Sequence, residues 1–90
     1  MNPYTEHEIS NTSVIRTFKD STESDDLKWH RDLEDREITS LNSNNWMIQL
    51  DDQLPVNLAI GKSMYIAKGV WHRLIKGKGN AIFKINKNKI

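Results

Sequence analysis

Three histidines, His7, His30 and His72, are the side chains of this 90-residue sequence that titrate nearest neutrality, and each stands in a different setting. His7 lies in a polar, acidic opening segment where nothing apolar would hold it in place, and it is not expected to belong to a site. His30 sits in Trp29-His30-Arg31-Asp32-Leu33-Glu34-Asp35-Arg36-Glu37, a stretch dense in carboxylates, and His72 in Val70-Trp71-His72-Arg73-Leu74-Ile75, a stretch dense in apolar residues. Cysteine is absent, which removes thiolate nucleophiles, disulfides and sulfur ligands together. Any metal must therefore be held by nitrogen and oxygen, and imidazoles with carboxylates suit a borderline to hard divalent ion such as iron(II), manganese, nickel or zinc. Taken one at a time, each histidine is more simply read as a structural side chain.

The elements that must position these residues read as short strands. Residues 13–18, Ser-Val-Ile-Arg-Thr-Phe, are β-branched and apolar in alternation and end at the polar run 19–26, which reads as a loop. Residues 46–50 and 56–60 read as two strands joined by the turn Asp51-Asp52-Gln53-Leu54-Pro55; residues 63–66, 70–75 and 81–85 read as three more. Short strands at this spacing point to a sandwich or barrel. Residues 27–41 carry both signals. Leu27, His30, Glu34, Ile38 and Leu41 fall at helical spacing, while Leu27, Trp29 and Arg31 alternate with polar neighbours, so an amphipathic helix in an α+β domain stays open.

The second half contains Gly61, five residues, Ala67, one residue, Gly69, two residues and His72, which resembles the second cupin motif, with Ala67 where proline is usual. The earlier segment resembles the first cupin motif, H-x-H-x(3,4)-E, with His30 as its first histidine, Asp32 in place of the second, and Glu37 at the four-residue spacing. Ser24 and Asn44 stand where the family carries glycines. The likeness spans about residues 27–85. It implies an all-β, small jelly-roll β-barrel with an irregular N-terminal arm, here residues 1–12 as a flexible arm and 13–90 as one barrel domain. It also implies a metal set of His30, Asp32, Glu37 and His72, and metal-dependent oxygenase, isomerase or lyase chemistry on a small molecule. The alternative is a metal-free binding or regulatory module.

Strand geometry is consistent with that likeness. Residues two apart share a face, so His30 and Asp32 would point into a barrel while Trp29 and Arg31 point out, and Glu37 would come from the next strand. Asp32 has a second role open to it, as ion-pair partner of Arg36 or Arg73. Glu34 and Asp35 read as a solvated turn. Trp29, Trp46, Trp71 and Tyr65 could stack on a ring-shaped ligand or pack as core or interface, and packing is the expectation.

Composition bounds the partners. A formal charge of +1 gives no bulk attraction to nucleic acid, and seven lysines from Lys62 onward, without an RNA-binding signature, read as solvated edges. No apolar run approaches the roughly 20 residues that span a bilayer, and the polar N-terminus lacks a signal-like stretch, so a cytoplasmic protein is expected. A domain this small would gain from extra burial in a homodimer.

Overall fold

In the computed structural model, which describes residues 3–88, the chain forms seven strands and a single 3-10 turn, Ser24–Asp26. The strands are β1 (Thr5–Glu8), β2 (Ser13–Phe18), β3 (Asp35–Ser40), β4 (Met47–Leu50), β5 (Ser63–Ile66), β6 (His72–Ile75) and β7 (Ala81–Asn88). They make a five-stranded antiparallel sheet in the order β1-β2-β7-β3-β5 and a two-stranded sheet, β4-β6. Isolated bridges lengthen the smaller sheet on both sides, His30 pairing with His72 and Val56 with Ile48.

Alternation builds the core between the sheets. In β2, Val14, Arg16 and Phe18 point inward; in β7, Ala81, Phe83 and Ile85 do, and the register sets Val14 opposite Ile85 and Arg16 opposite Phe83. Ile48 from the smaller sheet, with Trp46 and Leu58 from the segments flanking β4, closes the core from the other side. Trp46, 1 % exposed, donates its indole N–H to the Gly79 carbonyl at 3.1 Å, so its one polar atom is satisfied inside.

Two expectations are corrected. Residues 3–12 are not an irregular arm throughout, because Thr5–Glu8 pairs along β2 from Thr5↔Thr17 to Glu8↔Val14 as the edge strand of the large sheet. Its four side chains are all exposed, so no apolar alternation marks it in the sequence; the ladder and an Arg16–Glu6 ion pair at 2.6 Å hold it. Residues 56–60 do not form a full strand. Val56 exchanges two hydrogen bonds of 2.8 Å with Ile48, after which the Asn57 amide donates to the Asn44 and Trp46 carbonyls (2.8 and 2.7 Å) and ends the pairing. Residues 27–41 contain no α-helix. Met1, Asn2, Lys89 and Ile90, which belong to the expected arm and barrel, lie outside the described residues.

Candidate metal centre

His30, in the segment before β3, and His72, the first residue of β6, occupy directly opposed positions of an isolated antiparallel bridge. His30 N–H donates to His72 O at 2.9 Å and His72 N–H to His30 O at 2.8 Å, and the two rings lie 4.2 Å apart, centroid to centroid. One turn further on, the Gly69 N–H donates to the Asp32 carbonyl at 2.9 Å, so the chain before β3 and the chain before β6 are tied twice. Gly69 itself has φ of 79°, a left-handed conformation natural to glycine, and it turns the chain into β6. The result places His30, Asp32 and His72 so that one donor atom of each lies within 4.8 Å of the others.

The histidine rings are oriented by the same device. Each Nδ1 approaches the carbonyl two residues earlier, His30 that of Lys28 at 3.0 Å and His72 that of Val70 at 2.8 Å. A carbonyl only accepts, so Nδ1 carries the hydrogen and a neutral ring is left with its lone pair on Nε2. His72 Nε2 lies 3.2 Å from Asp32 Oδ2. In that tautomer a lone pair faces a carboxylate oxygen, an arrangement that becomes favourable only with a positive charge between or upon them. Oδ2 is buried and makes no hydrogen bond in this geometry, and neither does its other close neighbour, Arg36 Nε at 3.3 Å. Burial opposes the charged form of Asp32, but the approach of His72, which donates to the carboxylate when its ring is protonated, the charge of Arg36, and those of the two imidazoles in that protonated form outweigh it and hold its carboxyl below the usual value.

Glu37 is not with these three. It stands on β3 opposite Tyr65 and Asn86 and is exposed on the outer face of the large sheet. The strand starts at Asp35, so the inward positions are Arg36, Ile38 and Ser40, and alternation turns Glu37 away. Of the four expected ligands the structure brings three together, and the residue of that stretch that faces the histidines is a cation, Arg36. Arg73, the other proposed partner of Asp32, points outward, donating to Gln49 at 2.9 Å and lying over the Trp29 ring at 4.8 Å. Glu34 lies 3.4 Å from Arg36, and Asp35 accepts the Lys68 N–H at 2.8 Å, so both are used in the fold.

A cavity of about 340 Å³ opens beside the cluster, within the size range of small-ligand sites. Its lining includes His30, Asp32, Arg36, Arg16, Tyr4 and Phe18. The aromatic side chains there are Tyr4 and Phe18, not the tryptophans: Trp46 is core, while Trp29 and Trp71 are 40 % and 44 % exposed on the outer face. Sequence reading missed Arg16 and Tyr4. The signal for Arg16 was present, since it is in phase with Val14 and Phe18 and so puts a charge on the apolar face of β2.

No protein-family model and no curated protein matches the sequence. Solved structures do match the fold. A Co(II) form of HppE in complex with Tris buffer superposes with a TM-score of 0.76 at 19 % identity, over 98 % of this chain and 55 % of that one. An RmlC-like cupin family protein with a double-stranded β-helix fold from Methanocaldococcus jannaschii gives 0.73 at 14 % identity, over 97 % of this chain and 81 % of the other. Hydroxypropylphosphonic acid epoxidase from S. wedmorenis in complex with fosfomycin gives 0.66 at 18 % identity, over 84 % and 42 %. The chain spans about half the length of the HppE structure it matches. The architecture is thus a small all-β cupin fold, and it brings together a His-Asp-His cluster that could hold a metal ion, with His30 exposed, Asp32 half-buried and His72 buried.

Proposed function

We propose that this cupin-fold chain binds a divalent metal through His30, Asp32 and His72 and presents it to a small molecule in the adjoining cavity. The observation that carries the reading is the paired orphan: an Nε2 lone pair and a buried, unbonded carboxylate oxygen 3.2 Å apart, with the second nitrogen of each ring already tied to a carbonyl. Two imidazoles and one carboxylate form a donor set that leaves coordination positions open to a ligand. When bound, such an ion would supply Lewis acidity to an oxygen of the small molecule. The protein's own part is to fix the rings through Lys28 and Val70, to keep Asp32 ionised, and to offer a cavity walled by Phe18, Leu27 and Leu74. Iron and cobalt are supported as candidates by the HppE structures, which were solved with Fe(II) and Co(II).

A second reading is favoured by the Arg36–Asp32 contact at 3.3 Å, which provides an internal counter-charge for the carboxylate. In that case the cavity serves a metal-free binding module. Elemental analysis of protein purified without added metal, then reconstituted with Fe(II), Mn(II), Ni(II) or Zn(II), separates the two. One equivalent bound by the wild type and lost in His72→Ala supports the metal centre; no stoichiometric binding, or binding that survives the substitution, rejects it.

A further inference from the structure

Arginine on the inward face of a sheet is costly unless its guanidinium is matched, and this barrel contains two such residues, Arg16 and Arg36. Arg16 is matched. Its Nε and Nη2 both donate to one Glu6 oxygen, at 3.1 and 2.6 Å, and its guanidinium carbon lies 3.9 Å from the centre of the Tyr4 ring. Arg36 is held loosely, with Nε buried and unbonded, Asp32 Oδ2 at 3.3 Å in poor geometry, and Nη2 3.4 Å from Glu34. Both arginines and Lys28 border the 340 Å³ cavity, against the carboxylates Asp26 and Asp32.

We infer that Arg36 recognises an oxyanion in this cavity, and that a metal ion on His30, Asp32 and His72 is what frees it to do so. The inference rests on the metal-centre reading. Asp32 carries one negative charge, and two cations lay claim to it. A divalent ion on two neutral imidazoles and one carboxylate keeps a net positive charge and draws on the same Oδ2 that faces Arg36. Arg36 then stays buried, its side chain 14 % exposed, with the nearer of its two counter-charges diverted and only the longer 3.4 Å contact from Nη2 to Glu34 left. A carboxylate or phosphate-type group restores the balance and matches the planar fork of the guanidinium. The rest of the ligand meets Phe18, Leu27, Leu74 and the Tyr4 ring, so the ligand class is a small organic acid with a short apolar body. Metal and acid each tighten the binding of the other, since coupling between sites is reciprocal.

The test is calorimetric titration of metal-free and Co(II)-loaded protein with isobutyrate, isopropylphosphonate and the uncharged isobutyramide, together with the Co(II) absorption spectrum. The expected result is that at least one acid binds the loaded protein about tenfold or more tightly than the metal-free protein, and that the amide does not. The acid that binds more tightly identifies the head group. Arg36→Gln should hold Co(II) at least as well as the wild type, having lost a neighbouring positive charge, while losing the gain in acid affinity. Should that variant fail to fold by circular dichroism, Arg36→Lys keeps a charge without the fork and should lose part of the gain. Acid affinity unchanged in the folded variant means that the anion rests on the metal alone, and overturns the role of Arg36. Equal binding of the amide overturns the oxyanion. Absence of Co(II) binding by the wild type removes the metal-centre reading and this inference with it, whereas Co(II) bound without any effect of acid removes this inference alone.

Discussion

His30 and His72 share a doubly hydrogen-bonded bridge, N–H to carbonyl in both directions at 2.9 and 2.8 Å, so the backbone itself fixes the spacing of the two rings. On the opposite face the same register sets Trp29 against Arg73 and Arg31 against Trp71, with guanidinium-to-ring distances of 4.8 and 5.2 Å. The histidine pair is thus backed on the other face by two cation–π pairs.

Those outer pairs should contribute to the stability of the bridge. A double-mutant cycle with Arg31→Gln and Trp71→Leu is expected to give a coupling of about 0.5–1 kcal/mol, the usual worth of an exposed cation–π contact. Thermal denaturation of the four proteins checks it, and additive effects of the two substitutions would refute the contact.

Asp32→Asn preserves shape and removes charge. Metal affinity should fall by more than the roughly 10–100-fold typical of residues that only support a ligand. In the metal-free protein the same change leaves Arg36 buried beside a neutral amide, so the melting temperature should fall, and Arg36→Met added to it should restore part of the loss. Dialysis with metal quantification and calorimetry of the apo forms read the two effects separately.

The Glu6–Arg16 pair predicts an acid-side loss of stability. Partial burial opposes the Glu6 charge, but the hydrogen bond and charge of Arg16, with Lys87 and Arg36 further off, hold its carboxyl below the usual value. A lowered folded-state value means that this contribution is complete above the ordinary glutamate range and disappears as the pH falls through the folded value. Glu6→Gln should therefore narrow the stability difference between pH 7 and a pH below the ordinary glutamate range, as measured by urea denaturation across that interval. Because β1 is held at the edge of the sheet, hydrogen exchange at its amides should rise in the same variant.

Gly69→Ala should destabilise the fold by about 1–2 kcal/mol, because an L side chain at φ of 79° is strained. An added Cβ meets nothing within 4 Å there, so the cost comes from backbone conformation and not from a clash. For a domain of this size that corresponds to a fall in melting temperature of roughly 4–16 °C. Metal affinity should weaken as well, since Gly69 N–H anchors the Asp32 carbonyl.

Much of this protein was legible in its residues. The apolar alternation of Ser13–Phe18, the glycine-bounded strand Ser63–Ile66 and the strand around His72 follow from local pattern, and that pattern also implied that His30 and Asp32 share one face. Absence of cysteine restricted any metal to nitrogen and oxygen donors. Where a strand begins was not legible, and that decided Glu37: β3 starts at Asp35, which turns Arg36 inward and Glu37 outward, since a shift of one residue exchanges the faces. Strand β1 was hidden because its four exposed side chains carry no burial signal, and its partner lies across a loop. The meeting of Asp32, His72 and Arg36 depends on pairing between segments some 40 residues apart, a choice that sequence alone leaves open and that long-range backbone hydrogen bonding makes. Residue types thus determined which donor chemistry the chain could support, and tertiary register determined which of those residues stand close enough to act together.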